Sequence, residues 1–124
     1  MLANTDASAN LAVKDLTVAR KFYESTLGLK PVHTEGEEAV VYKSGNSTIN
    51  VYRSDYAGTN KATAVTWAVN DVAAEVGALK KKGVSFEHYD LPAGKYEGDV
   101  HVEGEMKCAW FKDPDGNILG LFNR

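Results

Sequence analysis

The chain predicts an α+β fold of two tandem βαβββ modules, residues 7–53 and 63–123, forming a curved mixed sheet with a cleft. Three observations lead there. A strand-to-helix opener occurs twice at a constant offset of 56 positions, so that Val13 falls on Val69 and Asp15 on Asp71. Near the carboxyl end, Cys108–Phe122 reads as a β-hairpin whose apolar arms flank Asp113-Pro114-Asp115-Gly116-Asn117. In that turn proline presets φ, aspartate can close an Asx-type bond, and glycine accepts positive φ. The third observation is alternation of apolar and polar residues in short segments, the period of strands with one face in a core.

Ser8–Val13 alternates, with Ala9, Leu11 and Val13 on one side. Asp15 then caps a helix whose apolar residues Leu16, Ala19, Phe22, Tyr23 and Leu27 follow the 3.6 period, and Gly28 is placed to end it. Leu29–His33, Ala39–Lys43 and Thr48–Arg53 are strands, separated by the charged turn Glu35–Glu38 and the tight turn Ser44-Gly45-Asn46. Asp55–Lys61 links the modules. The second begins with Val65, Trp67 and Val69 on one strand face, followed by a helix carrying Val72, Val76 and Leu79 and stopped at Gly83. Lys80-Lys81-Lys82 favours the dipole of its last turn and reads as a solvated face. Val84–Tyr89 is the next strand, and Leu91–Lys107 is an insertion before the terminal hairpin. Across that insertion the repeat returns at offset 70, pairing Asn50 with Gly120.

Each sheet puts one apolar face on its helix, through Leu11, Val13, Ile49 and Val51 in the first module and Val65, Trp67, Leu119 and Leu121 in the second. The other faces carry Ser8, Asn10, Thr48, Asn50, Tyr52, Thr66 and Phe122, too polar for a core and too aromatic for bare surface. Faces of this kind can line a concave site for a small ligand. Gly120 stands out among them, because a glycine inside a strand leaves room for something or marks a lost group.

Length and composition are those of one soluble globule: 124 residues, 44% hydrophobic, 25% charged, net charge −3. Such a domain buries somewhat over ~60% of its unfolded surface and needs no metal or disulfide to fold. The charge argues against a nucleic-acid partner. No apolar run reaches bilayer length, so no membrane partner is expected. Met1–Ser8 lacks the basic and apolar regions of a secretory leader, and the single cysteine, Cys108, fits a reducing compartment, so the expected location is cytoplasmic.

Leu11-Ala-Val-Lys-Asp15-Leu leading into Ala19-Arg-Lys-Phe22-Tyr23-Glu-Ser-Thr-Leu27-Gly28-Leu, with Trp110-Phe-Lys-Asp113-Pro114-Asp115-Gly116-Asn117-Ile-Leu, resembles the vicinal oxygen chelate superfamily. That superfamily includes glyoxalases, extradiol dioxygenases, fosfomycin-resistance transferases and bleomycin-binding proteins. The resemblance implies the glyoxalase/bleomycin resistance fold and a homodimer. It also implies a divalent metal held from the first and last strand of each module, at Ser8, Asn50, Ala64 and Gly120. None of these is His, Glu, Asp or Cys, and a one-residue slip onto Ala9, Ile49, Val51, Val65, Leu119 or Leu121 brings apolar residues. The pattern is therefore similar to the bleomycin-resistance branch, whose cleft holds an organic ligand without metal or other cofactor.

The reading that follows is a metal-free binding protein that sequesters a small organic ligand, an antibiotic or an aromatic metabolite. Tyr52, Phe111 and Phe122 would supply apolar walls, Asn10, Thr48, Asn50 and Thr66 orienting hydrogen bonds, and His101 a contact from the insertion. An enzyme of the lyase, isomerase or dioxygenase kind is the alternative. It would use His101, Glu103 and Glu105, the one clustered donor set, or metal-free acid–base chemistry. An interaction module whose polar faces are covered by a partner chain is a third. Gly98 and Gly104 suggest that the donor set lies on a solvated or ligand-covering loop, bordered by Tyr89, Asp90 and Tyr96. His33 and His88 read as structural or surface residues, and Trp67 as core.

Overall fold

The structure, a computed structural model, describes residues 1–124. Its contacts divide the chain into two units, Met1–Thr59 with Pro114–Asn117, and Asn60–Asp113 with Ile118–Arg124. Two helices and two mixed sheets make the fold α+β.

In the first unit, β1 (Ala9–Val13) leads into α1 (Leu16–Arg20), and β2 (Lys30–Glu35), β3 (Ala39–Ser44) and β4 (Ser47–Arg53) follow. The sheet order is β1-β4-β3-β2, with β1 parallel to β4 and the remaining pairs antiparallel. Leu11, Val13, Ile49 and Val51 are buried on its inner face, as are Leu16 and Ala19 of the helix. Asp15 caps α1 by accepting from the Thr17 and Val18 amides, which have no partner inside the helix.

The helix does not keep the 3.6 period as far as Gly28. Lys21–Thr26 widens into a π-helical segment, in which the Leu27 amide donates to Phe22 O at 3.0 Å and the Leu29 amide to Tyr23 O at 2.9 Å. Tyr23 is fully buried there, tilted against Tyr42 at 6.0 Å between ring centroids. The equally buried Tyr42 donates its hydroxyl to Glu24 Oε2 at 2.8 Å, and Arg20 Nε reaches the same oxygen at 2.7 Å.

Pro114–Asn117 belongs to this unit although it is the turn of the terminal hairpin. Asn117 Nδ2 donates to Ala12 O at 2.8 Å, and the Lys14 amide donates to Asp115 Oδ1 at 3.2 Å. Chemistry that suits a local turn is thus also used at long range, fastening residues a hundred positions apart along the chain.

The second unit repeats the topology with one addition. Its elements are β5 (Thr63–Val69), α2 (Val72–Lys81), β6 (Phe86–Glu87), β7 (Lys95–Glu97), β8 (Val100–Glu103), β9 (Met106–Lys112) and β10 (Ile118–Asn123). The order β5-β10-β9-β6 matches β1-β4-β3-β2, again with one parallel pair. Registers match as well: Asn10 lies opposite Asn50, and Thr66 opposite Gly120. Val72 and Val76 of α2 are buried, and Asp71 caps it through the Ala74 amide at 3.0 Å.

Two expectations change here. The strand expected at Val84–Tyr89 shrinks to Phe86–Glu87, and the insertion is mostly a β-hairpin that adds β8 and β7 to the sheet. The cause lies along β9, whose outer edge pairs with β8 at Met106–Cys108 and with β6 only at Trp110–Phe111. Gly98 and Gly104, at φ +64° and +59°, sit in two tight turns, between Glu97 and Val100 and between Glu103 and Met106. No helix is long and apolar enough to cross a membrane.

Candidate functional site

Cross-strand partners in a sheet share a face, so the registers of the second unit define what stands together. Trp110 lies opposite Gly120, Phe122 and His101 each lie opposite Cys108, Tyr96 opposite His101, and Met106 opposite Glu103. These residues form the face turned away from the core. Its rings are in sequence: His88 stacks on Tyr96 at 4.2 Å, Tyr96 meets His101 edge-on at 5.0 Å, His101 lies 6.2 Å from Trp110, and Trp110 meets Tyr89 edge-on at 5.8 Å.

Two depressions open on this face. One, of about 270 Å³, is lined by Pro92, Ala93, His101, Glu103, Met106 and Cys108, together with Leu91 and Trp110. The other, of about 320 Å³, is lined by Lys61, Ala62, Thr63, Tyr89 and Ile118, again with Leu91 and Trp110. Trp110 and Leu91 therefore border both lobes, and the groove is mainly apolar with a few polar groups at its sides.

Phe111 is not part of it, which corrects its expected place as a cleft wall. It lies opposite Leu119 and is 1% exposed, stacked on Trp67 at 6.5 Å and edge-on to Phe86 at 5.6 Å. The aromatic residue on the open face is its neighbour Trp110, which sequence reasoning missed. The signal was present: once Leu119 is assigned to the core and Gly120 to the other face, pairing across the hairpin places Phe111 with the first and Trp110 with the second.

His101, expected on a loop, is a β8 residue and 6% exposed. Its Nε2 is 2.9 Å from Ala93 O, and since a carbonyl only accepts, the neutral ring carries its proton on Nε2. Burial first, and the nearby Glu103 carboxylate second, push the Cys108 thiol up, so the sulfur stays protonated. The inserted hairpin is fastened by Asp99, which takes Lys80 Nζ at 2.7 Å and His88 Nε2 at 2.8 Å. The hydroxyl of Tyr96 accepts from the Tyr89 amide at 2.7 Å and donates to Tyr89 O at 2.9 Å, fixing the backbone beneath the Tyr89 ring.

The remaining expected residues are divided between the two units. Thr66 is exposed beside Gly120, and Phe122 is half-buried on the same side. In the first unit, Asn50 Nδ2 donates to Asn10 Oδ1 at 3.2 Å, the Ser8 and Thr48 hydroxyls are hydrogen-bonded, and Tyr52 stands beside Ala12 and Ala39, 40% exposed. That unit also has a depression of about 400 Å³ between Lys14, Asp15, Arg20, Glu37, Glu38 and Arg53. Its charges are largely matched internally, with Arg53 on Glu38 and Arg20 on Glu24.

The residues do not fit a divalent metal at the positions the resemblance offers. Ser8 and Asn50 bring neutral oxygens already engaged within their own sheet, Ala64 brings a methyl group, and Gly120 brings no side chain. The alternative set does not assemble either. His101 and Glu103 lie on β8, Glu105 lies in the following turn, and no group of three or more His, Cys, Asp and Glu side chains comes together anywhere in the chain.

Two βαβββ units in one chain, each built on a mixed sheet, define its class by fold as a small α+β protein. The chain belongs to the Glyoxalase/Bleomycin resistance protein/Dioxygenase superfamily, whose sequence profile matches residues 7–121. No curated protein matches it in sequence. Among solved structures it is similar to lactoylglutathione lyase from Agrobacterium tumefaciens, at TM-score 0.75 and 16% identity, covering 99% of this chain and 96% of that one. It is also similar to TnmS3, an antibiotic binding protein from Streptomyces sp. CB03234, at TM-score 0.64 and 22% identity, covering 99% and 98%. An integron cassette protein from the mobile metagenome of the Halifax Harbour sewage outfall matches at TM-score 0.71 and 18% identity, covering 98% and 99%. Identities this low carry the fold and nothing finer.

Proposed function

We propose that this protein is a metal-free binder of a small, flat organic molecule, an antibiotic or an aromatic metabolite, held on the open face of the second sheet. The single observation that carries this reading is the two-lobed groove around Trp110, walled by His101, Tyr89 and Leu91. Burying about 200 Å² of ligand apolar surface there contributes about 5 kcal/mol before the costs of association. Ring contact with Trp110 adds about 1 kcal/mol. Thr66, Phe122 and His101 are the side chains of that face we assign to ligand contact. Asn10, Thr48, Asn50 and Tyr52, on the polar face of the first unit, are proposed as contacts for a ligand held on that face. An antibiotic-binding protein is built on the same fold, so the fold is compatible with this class of function, and the donor chemistry at Ser8, Asn50, Ala64 and Gly120 supports binding without metal. We further propose that the protein works as a cytoplasmic homodimer, which sedimentation and fractionation test directly.

The experiment is a titration with planar aromatic compounds followed by tryptophan emission. Of the two tryptophans, Trp67 stacks on the buried Phe111 and Trp110 borders the groove. Ligand-induced quenching that disappears in Trp110→Phe, with affinity lowered severalfold, is the expected result. Quenching retained in that variant, with unchanged affinity, would move the site elsewhere. Elemental analysis by plasma mass spectrometry after exposure to zinc, nickel, manganese and iron tests the metal-free part, and a stoichiometric metal would overturn it.

A further inference from the structure

Residues 89–94 run between β6 and β7, belong to no strand or helix, and take part in none of the turn and loop hydrogen bonds between backbone groups. They nevertheless make one wall of the groove. Leu91, Pro92 and Ala93 line one lobe, and Tyr89 and Leu91 line the other. Two side chains of the inserted hairpin fasten this segment. The Tyr96 hydroxyl takes both backbone groups of Tyr89, its N–H at 2.7 Å and its C=O at 2.9 Å, and His101 Nε2 donates to Ala93 O at 2.9 Å. Tyr96 and His101 are cross-strand partners with their rings edge-on at 5.0 Å, so the two fastenings stand side by side. Just past Ala93 the chain comes down onto β8 at Gly94, where a β-carbon would stand 2.5 Å from Val102 O and 2.7 Å from His101 Cε1.

We propose that Tyr96 and His101 are positioning residues of the groove, whose hydrogen bonds to Tyr89 and Ala93 hold residues 89–94 as a ready-made wall for a ligand lying along Trp110. This role rests on the binding function assigned above and adds what keeps the site in its binding shape. A segment with no backbone ladder of its own samples other arrangements once a fastening is cut, and the apparent affinity falls with the fraction of molecules still in place. Tyr96 shows this most cleanly, because it lines neither lobe and can reach a ligand only through Tyr89. His101 lines one lobe as well, so its ring and its N–H contribute separately.

The test measures binding of acridone and 9-aminoacridine, flat tricycles of different charge, to the full chain and to Tyr96→Phe, His101→Phe and His101→Gln. Tyr96→Phe keeps the ring that stacks on His88 and removes only the oxygen. It should weaken both compounds about fivefold to tenfold, as expected if the fastened arrangement falls to a tenth or a fifth of the molecules. At position 101, phenylalanine keeps a ring and loses the N–H, whereas glutamine loses the ring and keeps an N–H of similar reach. The phenylalanine variant should bind about tenfold more weakly and the glutamine variant only about twofold to threefold more weakly than wild type. Unchanged affinity in Tyr96→Phe, whatever happens to its melting temperature, would show a merely structural hydroxyl and overturn the proposal. A glutamine variant as weak as the phenylalanine one, or weaker, would make the ring the whole contribution of His101 and overturn it too, leaving the aromatic site standing. Binding of neither compound to wild type would instead remove the binding function itself.

Discussion

Trp110 lies over Gly120. A β-carbon on residue 120 would stand 3.3 Å from Trp110 Cδ1 and 3.2 Å from Thr66 Cγ2, so the space left by the missing side chain is occupied by the indole and the threonine methyl. The glycine inside β10 is what lets a large ring come this close to the strand on the open sheet face. Gly120→Ala should therefore shift Trp110 emission and weaken aromatic binding severalfold, at a stability cost of about 1–3 kcal/mol because a rigid indole and a β-branched threonine must move to admit the β-carbon. Emission spectra and ligand titration of the variant check it.

The two adjacent aromatics of β9 should respond oppositely to truncation. Phe111→Ala opens a cavity between Trp67 and Phe86 and should cost about 3–5 kcal/mol in urea unfolding. Trp110→Ala should cost clearly less in stability and abolish ligand binding. Equal stability losses would overturn the assignment of Phe111 to the core and Trp110 to the open face.

Glu24 should be more important for stability than a half-buried carboxylate usually is. Glu24→Ala leaves the Tyr42 hydroxyl buried without its acceptor, at a cost of about 1–3 kcal/mol, and adding Tyr42→Phe should recover most of that loss. Arg20 holds the Glu24 carboxyl below its usual range, with the Tyr42 hydroxyl assisting. A carboxylate depressed in the folded state contributes fully above its unfolded pKa, about 4.3, and the contribution is lost as pH falls through the folded value. The stability difference between wild type and Glu24→Gln should accordingly shrink in acid and persist at neutral pH.

The inserted hairpin should loosen in acid. Lys80 first and His88 second keep the Asp99 carboxyl below the ordinary range, so the anchor is complete above about pH 4, the unfolded value, and is lost as pH falls through the lower folded one. Amide exchange of Lys95–Glu103, corrected for intrinsic rates, should accelerate there in wild type. In Asp99→Asn it should already be fast at neutral pH.

Cys108 should react slowly. With the thiol pushed up by burial and by Glu103, iodoacetamide at pH 8 should modify it more slowly than a small free thiol, and groove ligands should slow it further. Faster modification than the free thiol would contradict the protonated sulfur.

Local rules made much of the fold legible. Asp15 and Asp71 announce two helix starts, alternation in Leu11–Val13 and Trp67–Val69 assigns inner faces, and the offsets of 56 and 70 survive as matched registers, Asn10 with Asn50 and Thr66 with Gly120. These features depend on neighbours along the chain or on the two-residue period of a strand, so they can be read without coordinates.

What required the tertiary structure was competition between segments. The edge of β9 is shared between β6 and β8, and that sharing turned an expected strand into a short bridge and an expected loop into a hairpin bearing Tyr96 and His101. It also fixed which of Trp110 and Phe111 faces out, because register is settled across strands. The unpaired Tyr89 hydroxyl is of the same kind, since its burial is the joint result of packing by segments distant in sequence. Chain-local chemistry determined where helices and strands begin and which residues face the core; pairing energy and burial, which sum over residues far apart, decided the groove.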